Sequence, residues 1–115
     1  MRFIKTLETT EFVSSSRKTP QFKSFATQFR NDMKKLLSEL GATNPKFSTG
    51  HFYMSGFFTA KTGQIYYLSL SDVRFFKLHP MLLRQAKAYD DYTGGSNGFI
   101  PLDDSFTSRL EMAIT

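Results

Sequence analysis

The sequence predicts an α+β fold: one domain, an antiparallel sheet built on a central hairpin, and a long amphipathic helix packed against it. Three observations predict it. "PQFKSFATQFRNDMKKLLSEL" carries one apolar stripe at helical spacing. "HFYMSGFFTAKTGQIYYLSLSDV" has two strand-like runs around a turn containing glycine. At 115 residues and 40% hydrophobic side chains, the chain is long enough to bury one core unaided by metals or disulfides. Phe is heavily used, at 13 residues, and Trp is absent. Large aromatic rings therefore fill the core, with aromatic area left over for contacts.

The elements follow in order. "RFIKTL" reads as a short edge strand, and "TTEFVSSSRKTP" as a polar loop, so residues 1–18 form a partly mobile arm. Thr19 suits a helix N-cap and Pro20 the first helical position. Phe22, Phe25, Phe29, Met33, Leu36, Leu37 and Leu40 make the buried stripe, Gly41 ends the helix and Pro45 prevents its continuation. Phe25, Phe29 and Met33 should be inaccessible. The sheet is expected around a hairpin of residues 46–76 turning at "AKTGQ". A loop of two or four residues would put His51 and Tyr53 on the face of Asp72 and Arg74; a three-residue loop would break that pairing. "KLHPMLLRQAKAYDDYTGG" reads as a second helix, with Leu82, Leu83, Ala86 and Tyr89 inward and the glycine pair ending it. "GFIPL" is a short strand that Pro101 restricts to an edge. A C-terminal helix with Phe106, Leu110 and Ala113 inward, capped by Asp or Ser, closes the fold.

Charge narrows the function. The net charge is +5, all of it in residues 1–50, which hold nine Lys or Arg against four Asp or Glu. Lys23, Thr27, Arg30 and Lys34 lie along one flank of the long helix, next to its buried stripe. Such a line can track phosphates; its ordinary explanation is a solvated helix flank. Cysteine is absent, which excludes disulfides, thiolate metal sites and cysteine nucleophiles, and fits a reducing cytoplasm. No apolar run is long enough to cross a bilayer. The expected location is cytoplasmic.

Catalytic and cofactor motifs are missing. His51 and His79 have no nucleophile elbow near them. Asp90, Asp91, Asp103 and Asp104 could converge at the two ends of one loop, but helix capping explains Asp103 and Asp104 more simply. No Walker loop or dinucleotide fingerprint occurs around "TGGSNG". The reading is a non-enzymatic binding protein with no metal and no cofactor. Arg84 and Lys87, placed one helical turn apart before the loop, would join Lys23, Arg30 and Lys34 in contacting nucleic acid or a nucleoprotein. Tyr92, Thr93, Gly94, Gly95, Ser96 and Asn97 form a candidate contact loop, in which at least one of the two adjacent glycines should have a positive φ. The alternative is an inhibitor or adaptor that binds a host protein through Tyr53, Tyr66 and Tyr92.

"IYYLSLSDVRFF" followed by "LLRQAKAYDDYTGGSN" resembles a motif of small, poorly characterised proteins carried by phages and other mobile elements. The resemblance covers roughly residues 46–98. It implies nucleic-acid handling or interference with host defence. It singles out Asp72, Arg74, Arg84, Lys87, Asp91, Tyr92, Thr93, Gly94, Gly95 and Asn97, and it implies that Arg74 pairs with Asp91 or Asp72 to hold the loop against the sheet.

Overall fold

A computed structural model describes residues 1–12 and 20–115. Five strands form one antiparallel meander in chain order: β1 (Thr43–Thr49), β2 (Met54–Thr59), β3 (Ile65–Leu70), β4 (Met81–Ala86) and β5 (Asn97–Ile100). Helices α1 (Arg2–Thr9), α2 (Pro20–Glu39) and α3 (Phe106–Ile114) cover its inner face. This is the α+β architecture the sequence predicts.

The long helix follows its pattern. Phe22, Phe25, Phe29, Met33 and Leu37 are completely buried. Gly41 (φ 79°) ends the helix, the Gly41 amide donating to the Ser38 carbonyl and the Ala42 amide to the Leu37 carbonyl. The expected cap at Thr19 lies outside the described residues. Asp32 and Glu39 sit on the opposite flank from Lys23, Arg30 and Lys34, and the Asp32 carboxylate accepts from the Phe3 amide at 2.9 Å. The acidic flank therefore anchors α1, while Arg30 on the basic flank donates to Thr49 Oγ1 at 2.9 Å and ties α2 to β1.

Three expectations need correction. Residues 2–9 form a helix rather than an edge strand or arm: Phe3, Ile4 and Leu7 are buried together, and Phe3 packs edge-on against Phe29 at 4.9 Å; residues 13–18 of the expected arm lie outside the described residues. "MLLRQA" is strand β4, not a second helix. Met81 and Leu83 turn inward and Leu82 and Arg84 outward, because β3 and β5 supply ladders on both sides of it. In α3 the inward residues are Phe106, Leu110 and Ile114, with Ala113 exposed.

The β2–β3 turn takes the three-residue form. The Ala60 amide donates to the Gln64 carbonyl, and Gly63 adopts φ 92°. Phe57 then faces Tyr67, and Phe58 faces Tyr66. The pairing of odd with even positions is not realised, and His51 and Tyr53 lie in the β1–β2 turn. Gly56 keeps the inner face open for Phe47: a Cβ there would lie 2.6 Å from the Phe47 ring, which packs on Phe29.

Candidate binding face of the sheet

Helices cover one face of the sheet, and strand register dictates what the other presents. One row of paired residues crosses all five strands: Lys46, Phe57, Tyr67, Arg84, Asn97. A second row runs Ser48, Ser55, Ser69, Leu82, Phe99, and a third joins Thr59, Ile65 and Ala86. None of these outer positions carries a carboxylate. Neighbouring residues on such a row stand about 5 Å apart, and the Phe57 and Tyr67 rings pack with centroids 5.1 Å apart.

The β4–β5 connection lies across this face as a strap. Ala88 bridges to Asp91, and Asp90 turns the chain at φ 69°. Tyr92 then stacks on Tyr67, with centroids 4.9 Å apart and planes at 28°. Tyr89 leans on Phe57 at 5.8 Å, its hydroxyl donating to the Asn44 carbonyl at 2.8 Å. With that proton committed, the Thr59 hydroxyl is the donor in the 2.9 Å bond between Thr59 and Tyr89. Lys46 Nζ sits 5.6 Å from the Tyr89 ring centroid.

Asp91 Oδ1 accepts from the Thr93 hydroxyl at 2.6 Å and its amide at 3.1 Å, which holds the carboxyl below the usual aspartate range. Gly94 carries the expected positive φ, 99°. Its role differs from a helix cap, since a strand precedes it. Gly95 has ordinary φ but no room: a Cβ would fall on the Gln85 carbonyl oxygen.

Arg84 occupies the middle of the face. Its Nη1 donates to the Tyr92 carbonyl at 3.4 Å, a long contact. Its Nε is buried without a partner, and among the described residues no carboxylate pairs with it. A buried guanidinium nitrogen left without an acceptor is uncommon, because desolvating it is costly.

The structure divides the predicted contact residues. Arg84 and Asn97 are neighbours on the outer face. Tyr92 and Thr93 belong to the strap, Gly94, Gly95 and Ser96 complete its return to β5, and Lys87 lies beside Gly94. Arg84 and Lys87 do not share a helical turn, because β4 is a strand. Lys23, Arg30 and Lys34 belong to the helical layer, with the sheet between them and the Arg84 side chain. Of the two partners proposed for Arg74, the structure pairs it with Asp72, Nη2 to Oδ2 at 2.7 Å. That hydrogen bond holds the Asp72 carboxyl low. Asp91 is engaged by Thr93 instead. Tyr66 is buried and presents no contact surface, whereas Tyr53 and Tyr92 are exposed. His79, expected to begin a helix, lies in an exposed turn against Phe76 and Phe99.

Lys46, Phe57, Tyr67 and Phe99 were not singled out by sequence reasoning as contact residues, and Tyr89, expected to face inward on a helix, lies in the strap against Phe57 on the outer face. The alternation in "SGFFTA" and "IYYLSL" carries a signal for two of them, once the helices are known to cover only the other face. Among the described residues no three His, Asp or Glu side chains gather to hold a metal, and no helix is long and apolar enough to cross a membrane. Asp103, for which the sequence suggests helix capping, accepts from the Ser105 amide at 2.8 Å at the start of α3, and the Ser105 hydrogen bonds lower its pKa. No family model matches the chain, and no curated protein or solved structure matches it either.

Proposed function

We propose that the chain is a non-enzymatic protein that binds single-stranded nucleic acid on the outer face of its sheet. The observation that carries this reading is Arg84, whose buried Nε has no acceptor, set beside the Phe57–Tyr67 ring pair on strands whose outward positions carry no carboxylate. Bases stack on aromatic side chains irrespective of sequence, and cations beside the rings meet the phosphates. A guanidinium also matches phosphate geometry through two parallel hydrogen bonds, which would give Arg84 Nε the acceptor it lacks. Lys46 at one end of the row and Lys87 beside the strap extend the positive potential. The resemblance to proteins of phages and mobile elements fits a role in handling nucleic acid.

Fluorescence anisotropy with labelled single-stranded and duplex oligonucleotides tests the reading, at about 50 and about 200 mM salt. Single strands are expected to bind more tightly, with log affinity falling by about 0.7 per log unit of salt for each phosphate engaged. Arg84→Gln and Tyr67→Ala should each weaken binding by about tenfold or more, the worth of one stacked base or charged contact. Absence of binding at the lower salt concentration rejects the proposal.

Exposed Tyr53, Phe75, Phe76 and Leu78 favour a second reading, a host protein as partner. A stoichiometric partner captured from nuclease-treated lysate, together with failure of the oligonucleotide titration, would select it.

A further inference from the structure

The two edges of the sheet differ in kind. β1 carries Pro45, a register break between Thr43 and Lys46, and the exposed Lys46 itself. Proline, a bulge and a lysine are devices that discourage another strand from adding to an edge. β5 has none of them within Asn97–Ile100, and its proline, Pro101, stands just beyond the last paired residue. Its sequence, Asn97-Gly98-Phe99-Ile100, is uncharged, and its described backbone hydrogen bonds go to β4 alone. Phe99 is 53% exposed, and Met112 of α3 is 76% exposed. A groove of about 310 Å³, lined by Gly98, Phe99, Ile100, Arg109 and Met112, borders the strand.

We propose that β5 pairs antiparallel with β5 of a second copy of this chain, so that two sheets continue as one across a twofold axis. Three arguments select a second copy. Head-to-tail pairing of β5 onto β1 would grow an open filament, and the defended β1 edge opposes it; pairing of β5 with itself closes at two. The strand brings no like charges face to face in a chain of net charge +5. The geometry is also self-complementary. A twofold perpendicular to the sheet sets outer residues opposite outer residues, so it must pass through Gly98 or Phe99. Through Phe99, it lays two exposed rings against each other and sets Gly98, which has no side chain, opposite Ile100.

The chain has no cysteine, so single-cysteine variants report this contact without background. Sedimentation velocity from low to high micromolar concentration should take the wild-type chain from monomer to dimer, in the absence of nucleic acid. Mild oxidation should convert Phe99→Cys or Gly98→Cys to a covalent dimer, since residues opposite each other on antiparallel strands approach disulfide distance. Ser48→Cys, on the β1 edge, should form no covalent dimer under the same oxidation. Phe99→Lys should raise the dimer Kd at least about tenfold with an unchanged circular dichroism spectrum; if it disturbs the fold, the cysteine comparison decides. A wild-type chain that remains monomeric throughout, or a dimer in which Ser48→Cys cross-links as readily as the β5 variants, overturns the proposal.

Discussion

Two adjacent glycines in the strap serve different physical ends. At Gly94 the requirement is conformational, because φ 99° is costly for any residue with a Cβ. The nearest obstacle there is the Lys87 side chain, whose far end can swing away. At Gly95 the backbone is ordinary and the obstacle is the Gln85 carbonyl, held in β4 and unable to move without breaking the ladder. Gly94→Ala should therefore cost about 1 kcal/mol. Gly95→Ala should cost more, about 2 kcal/mol or above, because it forces a backbone shift. Urea denaturation of the two variants measures the order, and equal costs would contradict the close approach. The sequence pointed to a turn with a positive φ here. It carried no sign that the second glycine marks a crossing of backbones.

At the scale of elements, legibility followed local self-sufficiency. α2 has a stripe of seven apolar residues, a glycine stop and a proline beyond it, so its sequence specifies it without help from neighbours. β4 is the opposite case. Leu, Arg, Gln, Ala and Lys are good helix formers, and Leu82, Leu83 and Ala86 satisfy helical spacing. Ladders from β3 and β5 override that preference, as tertiary context commonly does. In α1 the pair Phe3–Ile4 with Leu7 fits a helix turn, but a segment this short is ambiguous until α2 provides the surface that selects it. The strand assignment of β4 has a direct check. Leu83→Ala, buried on the inner face, should cost about 2–4 kcal/mol, while Leu82→Ala on the outer face should cost about 1 kcal/mol or less. In a helix with both leucines inward the two costs would be alike.

For the whole molecule, the sheet separates two basic regions that look like one group in the sequence. Lys23 and Lys34 lie on the helical layer, and Arg84 projects from the opposite face of the sheet. This arrangement sorts the variants. Lys23→Glu with Lys34→Glu should weaken oligonucleotide binding only through the general potential, by about threefold at low salt, an effect that fades at about 200 mM. Arg84→Gln should retain its tenfold effect at both salt concentrations, because the lost contact is local and partly desolvated. Equal effects from both variants would move the binding surface to α2. Arg84 was legible as a basic residue, but its setting was not. Its neighbours Phe57 and Tyr67 are distant in sequence and meet it only through the register of three strands.

The strap has a spectroscopic consequence. The chain contains five tyrosines and no tryptophan, so its ultraviolet emission is tyrosine emission alone. Three of the five, Tyr67, Tyr89 and Tyr92, are gathered on the outer face, with Tyr67 and Tyr92 in ring contact. A molecule that slides between those two rings, or lifts Tyr92 away, alters the signal at its source. The face thus carries its own optical probe, readable on the unlabelled, unmodified chain.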